Sequence, residues 1–585
     1  MKSSKRTYLD ICVAVFVALL ASLPLIFKGI DGTIYQDLQF HLSRIESLSE
    51  GLKAGKFPVM MQSVWMNGKG YPVSIFYGDF LLYFPAVLRI FGVPIYITYK
   101  LFVLFVNLLT AVSALICFKK IFKSDKAAYV GTFLYVTSAY RLMDIYVRAA
   151  VGEYIAFIFF PIIALAMFNI LGETTVENSE TQTKNHCRAS KVYYRNSLLL
   201  AFGMTGLIQS HLLSTVMTAF LLVIVCVLYA PRTFRIKTIL CLLKAVGESI
   251  ILNLYFFVPF IDYYMNVNVY AGKGGDHTQA MQIRSAGAYL KQFFDFFGHI
   301  FGMNIEDIEL RMQLTVGLPL MVALVVCFVM FILRYREYKV FVPGAMSVLT
   351  LWMSTNLFPW NTLEGYTHLF KILSKVQFPW RYLVAAILFL TILLGMVLAK
   401  LEGEESQKLK NYGNVTAVVL VLVGIVMTCV FTARYKEGYY PVEFREYSEV
   451  DSGYMGACEY LREGTELDVV AYVPENEHLD YYEVLYQKDN KIVVSVENSG
   501  EASTVEIPKL NYKGYVAFDD NKNKLEITDG FRNLINVSVP AGYSGTITVS
   551  FKQPVSWIVS EIISLLGFIA IVYYSVKKKT GEAED

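Results

Sequence analysis

Twelve apolar segments, each close to the length that crosses a bilayer, leave this chain little choice of solvent. They fall at 8–28, 97–118, 127–143, 154–171, 197–211, 213–230, 238–260, 314–333, 340–356, 381–399, 414–432 and 556–575, against roughly 20 residues per helical crossing. A chain that is 55% hydrophobic and 17% charged is not a soluble globular protein. The reading is therefore an α-helical polytopic membrane protein of about 12 spans. The stretch 75–92 is almost long enough to cross, but Asp79, Pro85 and Arg89 suit a helix lying along the interface.

Basic residues orient the spans. Lys2, Lys5 and Arg6, the KKIFKSDK run at 119–126, Arg188 with Lys191 and Arg195, Arg232 with Arg235 and Lys237, Arg334 with Arg336 and Lys339, Lys408 with Lys410, and Lys577 to Lys579 all fall on one face. That face is expected to be cytoplasmic, with both termini on it. The first apolar run resembles a signal peptide but shows no small-residue cleavage site, so it reads as a retained helix. The net charge of +3 gives no reason to expect a nucleic-acid partner. The eight cysteines show neither a disulfide framework nor a zinc spacing.

This threading divides the chain into a membrane domain at 1–432, with an external loop at 29–96 carrying interfacial helices, an external domain at 433–555, and a last span with a basic tail at 556–585. Between the last two spans, runs such as KIVVSVENS, STVEIPKL, LINVSVP and GTITVSF alternate apolar and polar residues between turn signals. They predict an extracytoplasmic all-β domain of sandwich type.

Polar chemistry concentrates on the same outer side. In YQDLQFHLSRIESL, at 35–48, Asp37, His41 and Arg44 lie within about 60° of one another on a helix, beside an apolar stripe of Leu38, Leu42, Ile45 and Leu52. Taken alone, Asp37 reads as an N-cap, His41 and Arg44 as headgroup contacts, and Glu46, on nearly the opposite side, as a solvated residue. Elsewhere MDIYVRAAVGEY supplies Asp144, Arg148 and Glu153, QSHLLST supplies His211, and KVQFPWRYL supplies Arg381. An outer Arg at a span end is ordinarily a snorkelling anchor and a lone His ordinarily structural. Together these groups hold the inventory for drawing a proton from an acceptor while neutralising a departing phosphate.

The order of first span, DLQFHLSRIE, GKFP, WMNGKGYPVSIFYGDFLLYFP and YRLMDIYVRAAVGEY resembles the bacterial membrane proteins grouped as related to 6-pyruvoyl-tetrahydropterin synthase, of the GT-C glycosyltransferase superfamily. The β domain is similar to that of YfhO-like proteins. The pterin name is not literal, because the seven histidines show no three-histidine zinc grouping. The resemblance implies a GT-C-type, inverting glycosyltransferase of the bacterial plasma membrane. It would move a sugar from a polyprenyl-phosphate donor to an envelope glycan or lipid acceptor at the outer face.

The resemblance also implies site roles. Asp37, with Asp31 second, matches the acidic residue of the first external loop and would act as base or acceptor orienter. Arg148 and Arg381 would clamp phosphate, with His41, Arg44, Glu153 and His211 as secondary candidates. A divalent metal ion is a possible cofactor, with Asp37 and Glu153 as its candidate ligands. The glycine-rich segment at 268–298 reads either as a lid or as an ordinary loop. Two other functions fit less well: a lipid or glycan transporter or flippase, which would hold more ionisable groups at the midplane, and a noncatalytic envelope scaffold.

Overall fold

In the C-terminal third of the chain, side chains alternate between burial and exposure with the period of two that a pleated strand imposes. In strand β2 (Lys491–Asn498), Ile492, Val494 and Val496 are fully buried while the residues between them face outward. The other strands are β1 (Tyr481–Lys488), β3 (Ser503–Leu510), β4 (Tyr515–Phe518), β5 (Lys524–Leu525), β6 (Ile527–Asp529), β7 (Leu534–Val539) and β8 (Tyr543–Phe551). They form a five-stranded sheet in the order β1-β2-β8-β4-β5 and a three-stranded sheet in the order β3-β7-β6. Antiparallel register sets Val494 opposite Ile547 and Val505 opposite Val537, so each sheet turns a continuous apolar face inward.

This computed structural model describes residues 2–27, 37–172, 182–270, 286–297, 312–366, 368–374, 376–438, 447–449 and 458–580. The chain forms two units, Met1–Gln36, Lys100–Ser249 and Ala280–Glu443 in one, and Asp37–Tyr99, Ile250–Gln279 and Phe444–Asp585 in the other.

The second unit holds the strands, and its core is not theirs alone. Met60, Trp65 and Tyr71 of the early loop, with Tyr263 and Trp557, share one apolar cluster with Val494, Val505 and Ile547. Backbone bonds run from Leu510 N to Lys69 O at 3.0 Å. Asn490 Nδ2 donates to Met61 O at 2.7 Å, and the rings of Phe76 and Tyr460 stack at 4.7 Å. Within the cluster sits Lys509, 1% exposed, whose Nζ donates to Gly68 O at 2.6 Å and Asp489 O at 2.9 Å. Burial pushes this ammonium down to about 8, against the nearby attraction of Asp489.

The first unit is helical, and the described residues hold fewer spans than the twelve expected. Ile95–Phe122, Val151–Gly172, Pro379–Gly403 and Gln407–Arg434 are long and apolar enough to cross, as is Val555–Tyr574 of the second unit; the bent pair Ile236–Leu252 and Leu254–Asn266 makes a sixth if it counts as one span. Shorter pieces account for the difference. The 127–143 segment breaks between Asp125–Val136 and Ala139–Tyr146; the turn expected between 197–211 and 213–230 falls at His211, and the helix after it, Leu212–Leu228, has only 17 residues. Leu318–Leu333 and Tyr338–Met353 have 16 residues each, about 24 Å at 1.5 Å per residue. Tyr83–Ile90, in the near-spanning 75–92 stretch, has only 8.

Helix burial sorts positions within the unit. Over the most apolar 18 residues of each, Pro379–Gly403 is 83% buried and Gln407–Arg434 only 22%, so the first is a central helix and the second is mostly exposed. Close helix approach relies on glycine. A Cβ on Gly206 would lie 2.1 Å from the Phe159 ring, and one on Gly203 would lie 2.6 Å from Ile163.

Two predictions follow from this packing. Gly206→Ala should destabilise the purified protein by about 1–3 kcal/mol, read as a lowered melting temperature in detergent. Gly247→Ala, with no atom within 4 Å of the added Cβ, should leave it unchanged. Lys509 supplies the second. Its folded value of about 8 lies below the ordinary 10.5, so between these values the unfolded chain binds more protons and stability rises with pH. Below pH 8 the buried ammonium opposes folding in full. The melting-temperature difference between wild type and Lys509→Met should therefore shift in favour of wild type from pH 7.5 to 10; a difference independent of pH would contradict this account.

Candidate active site

The chain reverses between the helices Ala139–Tyr146 and Val151–Ala156 through Ala149, at φ 51°. Arg148 N and Ala150 N bond back to Met143 O and Asp144 O, both at 3.1 Å. This turn sets Arg148 between two carboxylates, one turn before it and five residues after it. Its Nη1 donates to Asp144 Oδ1 at 2.8 Å and also to Glu153 Oε2.

From the other side, the short 3-10 turn Pro379–Tyr382 starts the central helix and brings in Arg381. Its Nε donates to Glu153 Oε1 at 3.1 Å, and its Nη1 donates to Val376 O at 2.6 Å and Gln377 Oε1 at 2.9 Å. The guanidinium lies over the Phe378 ring at 5.1 Å. The Tyr140 hydroxyl donates to Glu153 Oε1 at 3.4 Å. Asp144 and Glu153 are at most 1% exposed and the two arginines at most 6%. Two cations and two carboxylates so enclosed must offset one another, because none of the charges has water to stabilise it.

His211 ends the helix Gln182–Ser210 and caps the next, Leu212–Leu228. Its Nδ1 accepts from Ser214 N at 3.3 Å, which requires a lone pair on Nδ1 and so, for a neutral ring, the proton on Nε2. The ring is near enough to feel the charges of Arg381, Glu153 and Arg148.

The remaining expected site residues belong to the second unit. Asp37 stands at the N-cap of Leu38–Lys53, half-buried, with helical backbone angles and no side-chain cap bond. Its simplest role, a capping acceptor, is therefore not the one it plays. His41 and Arg44 do not face lipid headgroups, since each is 1% exposed. Arg44 donates to Asp79 Oδ1 from Nε at 3.2 Å and from Nη2 at 2.5 Å, and to Gly78 O at 2.7 Å. Tyr77 lies beneath the guanidinium at 4.2 Å. Arg44 Nη1 lies 3.2 Å from His41 Nδ1; a guanidinium has no acceptor, so His41 gives its Nδ1 lone pair to that bond and is poorly placed to use it as a base. Glu46 is not solvated either, being 7% exposed and bonded to Arg89 Nε at 2.7 Å.

Two charged groups prove more deeply buried than their sequence suggests. Asp79, expected on a helix lying along the interface, is 7% exposed and balances Arg44. Arg141 is fully buried and donates to Val136 O at 3.0 Å, Asn107 Oδ1 at 2.8 Å and Thr110 Oγ1 at 3.2 Å. An arginine close to the end of the 127–143 apolar run, two residues after Ala139, was its signal. Asp31 lies outside the described residues, as does most of the 268–298 segment.

The donor chemistry does not suit a metal at Glu153. Both its oxygens already accept from arginine, and a cation there would meet two guanidiniums at contact distance. Among the described residues no group of three or more His, Cys, Asp or Glu is arranged to hold one.

Glu153→Gln should destabilise the protein by about 3–5 kcal/mol, since it leaves two buried guanidiniums undercompensated. Adding Arg148→Gln should cost less than the sum of the single changes, and a double-mutant cycle of melting in detergent measures that coupling. Strict additivity would mean that the two groups do not hold each other.

No family model matches the chain. An uncharacterized protein of Lactococcus lactis subsp. cremoris (strain MG1363) is 26% identical over 95 residues, a match spanning 16% of this chain and 16% of that protein. Among solved structures, the archaeal oligosaccharyltransferase AglB from Archaeoglobus fulgidus, in complex with an inhibitory peptide and a dolichol-phosphate, is similar with a TM-score of 0.36 and 12% identity over 75% of this chain and 57% of that one. ArnT from Cupriavidus metallidurans bound to undecaprenyl phosphate has a TM-score of 0.36 and 11% identity over 92% of this chain and 100% of that one. Likenesses this loose carry no weight in assigning function.

Proposed function

We propose that this multi-pass membrane protein is a glycosyltransferase of the GT-C kind, moving a sugar from a polyprenyl-phosphate-linked donor to an envelope glycan or lipid acceptor at the outer face of a bacterial plasma membrane. The supporting observation is the buried group in which Arg148 and Arg381 converge on Glu153, beside Asp144 and His211, at the starts of the spans Val151–Gly172 and Pro379–Gly403.

Glycosyl transfer of this kind forms a bond from the acceptor oxygen to the anomeric carbon as the bond from that carbon to the donor phosphate breaks. The electron pair leaves on a phosphate oxygen and the acceptor proton passes to a base. In the inverting form the acceptor attacks from the face opposite the leaving group. Guanidiniums are suited to the charge that develops on that phosphate, because their N–H fork matches two oxygens. Glu153 keeps both arginines oriented before the donor arrives, and a donor phosphate would draw on the same N–H groups. The base that the family resemblance implies, Asp37, belongs to the second unit and is tested separately. No step is assigned to a metal, since the donors at Glu153 do not fit one.

A transport reading has one observation in its favour, the helix break at the fully buried Asn253 between Ile236–Leu252 and Leu254–Asn266, since broken helices line many transport paths.

Purified full-length protein in nanodiscs, supplied with synthetic polyprenyl-phosphate sugars and candidate acceptors, should release polyprenyl phosphate. Arg381→Gln should slow release about 100-fold, and Asp37→Asn should slow it comparably, with melting used to confirm folding. Movement of labelled lipid across vesicles without release of polyprenyl phosphate would favour the transporter instead.

A further inference from the structure

The helices of the first unit leave an apolar cleft that the proposed chemistry does not use. Three of its walls are regular stripes. Phe160, Ile163, Ala164, Met167, Phe168 and Leu171 recur at the three- and four-residue spacing of one helix face. Thr218, Leu221, Leu222 and Val225 do so on a second helix, as do Ala385, Leu388, Phe389, Ile392 and Met396 on a third. Val342 and Pro343 close the fourth side. From Phe160 to Gly172 the cleft runs about 18 Å at 1.5 Å per residue, close to the roughly 15 Å depth of one leaflet's hydrocarbon.

One end of the cleft is cationic. Arg232 and Lys339 line it there, with Tyr229. Arg232 Nη1 donates to Leu171 O at 2.9 Å, using a carbonyl of the last helical turn, and the guanidinium lies 5.7 Å from the Tyr229 ring. Among the described residues, Glu337, two positions before Lys339, is held by Lys400. Among the described residues, Arg232 and Lys339 make no ion pair with a carboxylate.

This end lies far from the candidate active site. Glu153 and Gly172 stand at opposite ends of one span, 19 residues apart, about 28 Å along a helix and nearly the whole hydrocarbon thickness. A donor whose phosphate sits at Arg148 and Arg381 would not place it at Arg232.

We propose that the cleft binds an anionic phospholipid of the leaflet opposite the candidate active site. One acyl chain would lie along the Phe160–Leu171 stripe, with the headgroup phosphodiester between Arg232 and Lys339. The apolar walls exclude a soluble occupant, the length matches one leaflet, and the paired cations at the mouth select negative charge over zwitterionic lipid.

The test is to reconstitute the full-length protein in nanodiscs of equal phosphatidylglycerol and phosphatidylcholine, then measure by native mass spectrometry which lipid it retains. Wild type should retain phosphatidylglycerol at least fivefold over phosphatidylcholine. Arg232→Gln with Lys339→Gln should bring that ratio to about one, and Ala164→Trp, which fills the middle of the cleft, should lower retention of both. Equal retention by wild type, or an unchanged ratio in the double variant, would overturn the proposal. So would retention of polyprenyl phosphate in place of phospholipid in protein taken directly from cells. Should Ala164→Trp fail to fold, the headgroup variants still decide. The readout is bound lipid, independent of whether sugar is transferred.

Discussion

Glu153 is one carboxylate holding two guanidiniums, Arg148 at five residues' distance and Arg381 at 228. In a medium with no water to stabilise charge, each of these groups needs the others. The contact therefore fixes the start of the central Pro379–Gly403 helix against the turn at Ala149, and with it the helices packed around both. It also gathers at one place the cations and carboxylates from which any phosphate chemistry of this unit would be built. Stability and chemistry draw on the same charges, so a change that frees an arginine for a ligand also weakens the helix packing.

The second unit also buries charge. Its two sheets do not complete their core alone, because Met60, Trp65 and Tyr71 of the 37–99 stretch share the apolar cluster. Buried polar groups there are paired closely: Arg44 with Asp79, Glu46 with Arg89, and Lys509 with backbone oxygens. Composition alone does not reveal this joint core. The residues that build it are separated by some 400 positions, as the bond from Asn490 to Met61 illustrates with a separation of 429.

Apolar length and strand alternation were legible from residue order because both are local. Greasy runs near 20 residues imply helices in lipid, and the alternation in KIVVSVEN is the burial pattern of β2 itself. Span counting erred where an apolar run breaks into shorter helices, as in 127–143 between Val136 and Ala139, since hydropathy does not register a break. The site was half legible. Asp144, Arg148, Glu153, His211 and Arg381 stood out as outer polar residues among apolar neighbours. The facing of the Leu38–Lys53 helix did not: with one side predicted wet, Glu46 and Arg44 both proved buried.

The sequence by itself determined that the chain is a multi-pass helical membrane protein with a β-rich C-terminal part, because periodicity and apolar length act over a few residues. Only the tertiary structure decided partners. Nothing in residue order distinguishes an arginine that snorkels to water from one that turns inward to meet Glu153. That choice depends on whether a carboxylate from a distant segment arrives to offset the burial of charge.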